Sequence, residues 1–173
     1  MSTLGPAHRS YLPIATDDLR RLRTIAARDT VAFFAAHPDW AALYAGRVLL
    51  VALCQGAALH YVTGDAGIND FDVYTFYTEN PARRRCNRRR AIYDFGDAKF
   101  GQSRDKPQFV GRRVDMLGRA IPCAAGCEPV DAVRAYLRDG RTVTARLLAE
   151  KAIVVLEPEQ QLGHIVWSPS ELT

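Results

Sequence analysis

Residues Val48–Tyr77 read VLLVALCQGAALHYVTGDAGINDFDVYTFY. The run Val48–Cys54 is apolar throughout, which is typical of a strand covered on both faces of a sheet. A small-residue turn at Gly56 leads into a short predicted helix, Ala57–Val62. The segment Asp70–Tyr77 alternates with aromatic and β-branched residues and is predicted to be a second strand.

The sequence on either side of this segment predicts more helices and strands. Apolar residues at helical spacing predict a long amphipathic helix over Asp17–His37, ended by Pro38. Apolar, β-prone residues predict a third strand over Arg113–Ile121 and a last strand over Ala152–Leu156. Two helices are predicted between those strands, one opened by Glu128 and Pro129 and closed by Gly140, the other over Thr142–Glu150. Together these elements predict an α/β (α+β) fold, a small mixed β-sheet flanked by helices.

Length and composition predict one domain. The chain has 173 residues and a mass of 19.2 kDa, with 48% hydrophobic and 24% charged residues. These values are typical of a globular protein with a packed core. We expect one domain over residues 1–173, with an irregular lead-in at 1–16 and an arginine-rich insertion at 79–107. The apolar runs are too short for a membrane span or a secretory signal, so we expect a cytoplasmic protein without membrane contact.

The cysteine pattern predicts reduced thiols. Four cysteines are irregularly spaced, and a chain of this size does not need disulfides to fold. Cys123 and Cys127 would need two more ligands at matching spacing to hold zinc, so we interpret them as small loop hydrophobes.

Positive charge is concentrated in the middle of the chain. Residues 83–119 contain twelve basic and four acidic side chains, a net charge of +8 against +4 for the whole chain. Arginine side chains match phosphate geometry, so this segment predicts a phosphate-bearing partner. We expect RNA or a protein acceptor to contact the Arg83–Arg90 region. The alternative is a solvated surface face.

Three aspartates lie in apolar strand contexts. Asp70 and Asp72 are two residues apart, so in a strand they share one face. Like charges this close favour an intervening cation, and carboxylate oxygens suit Mg²⁺ or Mn²⁺. Asp115 is a further lone acid in an apolar strand. The alternative to metal binding is that Asp70 is an acidic residue of a turn and Asp72 an acidic residue of an edge strand.

The order of these features resembles the nucleotidyltransferase superfamily of the DNA polymerase β type. Its signature is an apolar residue followed by Gly and then Gly or Ser, a spacer, D-h-[DE]-h, and a third acid on a neighbouring strand. The matching residues here are Gln55-Gly56-Ala57, Asp70-Phe71-Asp72-Val73 and Val114-Asp115-Met116. The segments GAALHY and GINDFDVYTFY look particularly similar to those of the abortive-infection toxin branch (AbiEii type) and its uncharacterised bacterial relatives.

The resemblance implies a reaction and roles for five residues. Asp70, Asp72 and Asp115 would bind two Mg²⁺ or Mn²⁺ ions, and Asp115 would help to deprotonate the incoming hydroxyl. Gly56 and Ala57 would cradle the triphosphate of ATP or another nucleoside triphosphate. The implied activity is metal-dependent transfer of an NMP to a hydroxyl of an RNA end, a protein or a small molecule, with release of pyrophosphate.

Two departures from the signature leave other readings open. Ala57 replaces the usual second Gly or Ser, and Gln55 replaces the usual apolar residue. A non-catalytic module that binds nucleic acid or regulates a partner, on a degenerate nucleotidyltransferase fold, is therefore an alternative. A toxin of a toxin–antitoxin pair is a third possibility. The sequence leaves the base preference, the acceptor and the oligomeric state open.

Overall fold

The structure is a computed structural model that describes residues 8–83 and 88–172. Its helices are α1 (Thr16–Ala36), α2 (Pro38–Tyr44), α3 (Gln55–Thr63), α4 (Pro129–Asp139) and α5 (Val143–Ala149). Its strands are β1 (Val48–Cys54), β2 (Phe71–Thr78), β3 (Arg88–Asp94), β4 (Arg113–Ile121), β5 (Ala152–Glu157) and β6 (Ile165–Trp167).

The six strands form one mixed sheet in the order β3-β4-β2-β1-β5-β6. β2 and β4 are parallel neighbours, while β1 pairs with β2 and with β5 in antiparallel fashion. β3 and β6 extend the two ends of the sheet, again by antiparallel pairing. The predicted α/β fold with a mixed sheet is confirmed.

Helices cover both faces of the sheet because the central strands are apolar on both sides. On β2, Phe71 and Val73 pack into a cluster that includes buried residues of α1 and α3. Tyr74 and Phe76 point to the other face, where they pack with α4 and α5. Both are core residues, since Phe76 is fully buried and Tyr74 nearly so. None of the described helices combines the length and hydropathy that a membrane span requires.

Most helices and strands match their predicted ranges, and two predictions are wrong. The predicted strands Val48–Cys54 and Arg113–Ile121 match β1 and β4, and the long predicted helix matches α1 to within one residue at each end. The prediction that Ala152–Leu156 is the last strand is wrong, because β6 pairs with β5. The segment 79–107, predicted as an arginine-rich insertion, contains β3, which pairs with β4 at the edge of the sheet.

The segment between β3 and β4 is held by two charged side chains. The Asp94 carboxylate accepts backbone hydrogen bonds from Gly96, Val110 and Gly111 at 2.7–2.9 Å. Burial acts to raise the pKa of Asp94, but the three backbone hydrogen bonds outweigh burial and lower it. The nearly buried Arg112 guanidinium donates to backbone carbonyls of Phe100, Asn69 and His8. These contacts bring the connection against the segment that leads into β2.

Candidate active site

A cleft of about 250 Å³ lies between the start of α3 and the start of β2. Four of the five residues that the sequence analysis proposed for the site line it. The lining residues are Arg9, Gln55, Gly56, Ala57, Gly67, Asn69, Asp70, Asp72 and Lys151. The structure therefore brings the small-residue turn and the first two aspartates to one place, although twelve residues lie between Ala57 and Asp70 in the sequence.

The third aspartate lies beside the second. Asp72 on β2 and Asp115 on β4 are register partners in the parallel pair, which places their backbones about 4.8 Å apart. Asp115 is fully buried, whereas Asp72 is partly exposed. β2 lies between β4 and β1, so the reading of Asp72 as an edge-strand acid is wrong. Asp70 precedes the first residue of β2, which corrects the predicted strand start by one residue.

Arg113 joins the first and third aspartates. Its Nη2 donates to Asp70 Oδ2 at 2.6 Å and its Nε donates to Asp115 Oδ2 at 3.1 Å, while Nη1 contacts Asp105. Burial acts to lower the pKa of Arg113, but the carboxylates of Asp115, Asp70 and Asp105 outweigh burial and raise it. Arg113 is not among the predicted site residues. The signal in the sequence was the two-residue spacing between Arg113 and Asp115, because residues two apart on a strand share one face.

The turn into α3 has an open, uncapped start. Gln55, the first helical residue, has a φ of 60°, which is uncommon outside glycine. Among the described residues, no side chain caps the N-terminus of this nine-residue helix. A Cβ placed on Gly56 would meet nothing within 4 Å, so protein packing leaves room there for a ligand. Backbone N–H groups at an open helix start form an environment that suits phosphate.

Lys151 adds a positive charge to this cleft. A backbone bridge between Gln55 and Ala152, the first residue of β5, brings Lys151 next to the start of α3. Within the described residues, the Lys151 ammonium has no hydrogen-bond or ion-pair partner. From the sequence alone, Lys151 could contact a triphosphate or be a solvated surface charge, and the pairing of β5 with the start of α3 brings it to the cleft.

The carboxylates offer suitable ligand chemistry for a divalent ion. Carboxylate oxygens are preferred ligands of Mg²⁺ and Mn²⁺. No group of three or more His, Cys, Asp or Glu side chains in residues 8–83 and 88–172 is arranged to hold an ion. Arg113 contacts both Asp70 and Asp115, so an ion held by all three aspartates would have to displace this guanidinium.

Tyr74 lies behind the aspartates on the same face of β2. The pKa of Tyr74 is raised to about 12, mainly by burial and also by the nearby Cys54 and Asp72, while Arg119 acts to lower it. Burial also raises the pKa of the Cys54 thiol well above its ordinary value. Tyr74 and Cys54 are therefore neutral groups beneath the site at neutral pH.

His60 has a structural place near the cleft. It is 1% exposed, and its Nδ1 accepts a hydrogen bond from the Gly67 backbone N–H at 3.0 Å. Its Nε2 lies 3.0 Å from the Leu12 carbonyl oxygen and donates to it. Both ring nitrogens are thus used by the backbone, and the neutral ring holds the segment that follows α3.

Arg83, the first residue of the predicted Arg83–Arg90 region, packs against α2 and does not line the cleft. Arg83 is exposed, and its guanidinium stacks over the Trp40 ring at 4.4 Å from the ring centre. Tyr44 donates a hydrogen bond to the Arg83 carbonyl. Residues 84–87, and with them part of the predicted Arg83–Arg90 phosphate-binding region, lie outside the described residues. The proposed contact of this region with RNA or a protein stays a prediction.

Comparisons of the chain with protein-family models, with curated proteins and with solved structures gave no match. A functional assignment therefore depends on the residues and the geometry of the cleft.

Proposed function

We propose that the protein is a metal-dependent nucleotidyltransferase. The reaction would move an NMP from a nucleoside triphosphate to a hydroxyl of an RNA end, a protein or a small molecule, and would release pyrophosphate. The observation that carries this proposal is the convergence of Gly56, Ala57, Asp70 and Asp72 on one cleft, with Asp115 beside Asp72. Such a convergence places an open helix start within reach of paired carboxylates, which is the arrangement that phosphoryl chemistry needs.

Each side of the cleft has a distinct task in this proposal. The backbone N–H groups of Gly56 and Ala57 and the Lys151 ammonium bind the triphosphate, because they supply donors and positive charge. Asp70, Asp72 and Asp115 hold Mg²⁺ or Mn²⁺, which polarises the phosphate oxygens when bound. Asp115 also accepts the proton of the attacking hydroxyl.

Arg113 has a positioning task. It holds the Asp70 and Asp115 carboxylates next to each other and supplies one positive charge against their mutual repulsion. Cation binding would release the guanidinium from one or both carboxylates.

The proposal is tested by label transfer. Purified protein is incubated with each α-labelled nucleoside triphosphate, Mg²⁺ or Mn²⁺, and total RNA, candidate proteins or small molecules. We expect metal-dependent transfer of label with at least one acceptor, lost in Asp72→Asn and retained in Asp39→Asn, a change at an exposed residue of α2. Transfer that survives Asp72→Asn would contradict the proposed role of the carboxylates.

A second candidate function is a non-catalytic module that binds nucleic acid or regulates a partner. The ion pairs of Arg113 with Asp70 and Asp115 favour it, because they give these acids a structural use. The two functions are distinguished by Mg²⁺-dependent thermal stabilisation with ATP, CTP, GTP and UTP in turn. Stabilisation that is lost in Asp72→Asn supports the enzyme, and no shift with any of the four supports the binding module.

A toxin role in a toxin–antitoxin pair, acting in the cytoplasm, is compatible with both biochemical functions. Growth arrest on expression of the wild-type chain, relieved by Asp72→Asn, would support a toxin that acts by catalysis.

A further inference from the structure

Two cysteines are brought together by a tight turn between β4 and α4. The turn spans residues 124–127, where the Cys127 backbone N–H donates to the Ala124 carbonyl oxygen at 2.9 Å. Gly126 has a φ of 79°, the conformation that a type II turn requires at its third residue and that glycine adopts at little cost. Cys123 directly precedes the turn and Cys127 ends it, so the backbone places the two residues side by side.

The side chains of Cys123 and Cys127 are in contact. Cys123 Sγ lies 3.6 Å from the Cys127 carbonyl oxygen, and Cys127 Sγ lies 3.5 Å from the Glu128 carbonyl oxygen. Burial raises the pKa of the Cys123 thiol, and a hydrogen bond with the Cys127 side chain raises it further. Since that hydrogen bond joins the two sulfur atoms, a small movement brings them to the separation of about 2 Å found in a disulfide.

Both thiols are accessible to reagents in solution. Cys123 and Cys127 are partly exposed, at the border of the apolar cluster that covers one face of the sheet. Cys54, by contrast, is fully buried in β1. Accessible thiols that contact each other are the arrangement in which thiol–disulfide exchange takes place.

The pair lacks the further ligands of a zinc site. Zinc in proteins is held by three or four side chains of His, Cys, Asp or Glu. Over the part of the chain that the structure describes, no group of three or more such side chains is arranged to hold an ion. The sequence predicted two small loop hydrophobes, but apolar packing alone does not require their sulfur atoms to meet.

We propose that Cys123 and Cys127 form a reversible disulfide, a redox modification site that takes small disulfides such as glutathione disulfide as its oxidant. Neither cysteine lines the proposed nucleotide cleft. The site is therefore separate from that cleft and does not depend on the proposed activity.

The disulfide forms in two exchange steps. The thiolate of one cysteine attacks a sulfur of glutathione disulfide, which gives a mixed disulfide and releases one glutathione thiolate. The thiolate of the other cysteine then attacks the protein sulfur of the mixed disulfide and releases the second glutathione. Two electrons pass from the protein thiols to the oxidant, and the two protons that the thiols lose are taken up by the released glutathione. Excess reduced glutathione reverses both steps, so the bond is transient in a reducing compartment.

The test locates the bond in the whole protein. The native chain is equilibrated with set ratios of glutathione disulfide to reduced glutathione, free thiols are blocked, and trypsin digests the product. Trypsin cleaves after Arg119 and Arg134 and at no position between them, so one peptide, 120–134, contains both cysteines and neither Cys54 nor Cys86. By mass spectrometry we expect this peptide to lose two hydrogen atoms, to carry no glutathione, and to regain both hydrogens with dithiothreitol.

Single variants separate an internal bond from ordinary thiol oxidation. In Cys123→Ser and in Cys127→Ser the remaining thiol should retain one glutathione, because no neighbouring thiol can expel it. Cys86→Ser, at a cysteine outside the described residues, is the matched control and should form the same internal bond as the wild type. Circular dichroism establishes that each variant is folded.

A comparison of the native chain with the urea-unfolded chain tests the role of the turn and needs no variant. A disulfide that suits the native geometry is favoured by folding as much as it stabilises the fold, so the internal bond should be about tenfold or more favoured in the native chain. The quantity compared is the glutathione ratio at which half of peptide 120–134 is oxidised.

Three outcomes would overturn the proposal. The first is a peptide 120–134 that stays fully reduced with millimolar glutathione disulfide. The second is glutathione retained on the wild-type peptide in place of the internal bond. The third is an internal bond that forms as readily in the unfolded chain as in the native one, because the turn would then not bring the thiols together.

Discussion

Replacing Arg113 with glutamine tests how the aspartate cluster is held together. The change removes the guanidinium that contacts Asp70 at 2.6 Å, Asp115 at 3.1 Å and also Asp105. Asp115 is fully buried, so water cannot replace the lost contact there, whereas Asp70 and Asp105 are reached by solvent.

The expected loss of stability comes mainly from Asp115. Removing one partner of a buried ion pair costs about 3–5 kcal/mol, while an exposed pair such as that with Asp105 contributes at most about 1 kcal/mol. We expect a total loss of stability of about 3 kcal/mol, at the lower end of that range, because water can hydrate Asp70 once the guanidinium is gone. For a chain of this size that loss lowers the midpoint of thermal unfolding by about 6–12 °C.

The assay is thermal unfolding followed by circular dichroism, with and without Mg²⁺. Arg20→Gln is the control, since its ion pair with Asp17 is exposed and its loss should cost less than about 1 kcal/mol. If the aspartates bind a divalent ion, Mg²⁺ should stabilise Arg113→Gln more than the wild type. At a hundred times the dissociation constant the gain would be about 2.7 kcal/mol.

Two results would refute this reasoning. Unfolding of Arg113→Gln at the wild-type temperature would mean that Arg113 does not hold the cluster. Destabilisation without a larger Mg²⁺ effect in the variant would mean that the guanidinium and the ion do not compete for these carboxylates.

Three other substitutions test separate parts of the structure. Gly56→Ala should leave the unfolding temperature unchanged or slightly higher, because a Cβ there meets nothing within 4 Å. The same change should weaken nucleotide binding measured by calorimetry. Unchanged binding would contradict the proposed phosphate cradle. Gly111→Ala places a Cβ 2.0 Å from the Gly96 carbonyl oxygen and should cost about 3 kcal/mol in urea unfolding, whereas Gly46→Ala should cost little. Tyr74 has a pKa of about 12 against an ordinary 10.0, so the folded state holds this proton more tightly and stability falls as the pH rises from 10 toward 12. The fall is about 2–3 kcal/mol by urea unfolding, and Tyr74→Phe should remove it; an equal fall in that variant would locate the high-pH titration elsewhere.

Local patterns predicted the central strands well. The apolar run of β1 and the alternation in β2 carry their own signal, because both strands are buried by the helices that cover the sheet. β3 gave no such signal, since RRRAIYD begins with three arginines and only its pairing with β4 makes it a strand. β6 has three residues, too few for a periodic pattern.

The sequence by itself determined the α/β fold class, the small-residue turn at Gly56 and the spacing that puts Asp70 and Asp72 on one side of the chain. These features depend on residues that are close together in the sequence, so the sequence is enough to predict them. Only the tertiary structure decided that Lys151 reaches the same cleft, that Asp115 faces Asp72, and that Arg113 lies between carboxylates. Those contacts arise from strand pairing between distant segments, and pairing partners depend on how the whole sheet buries its apolar faces.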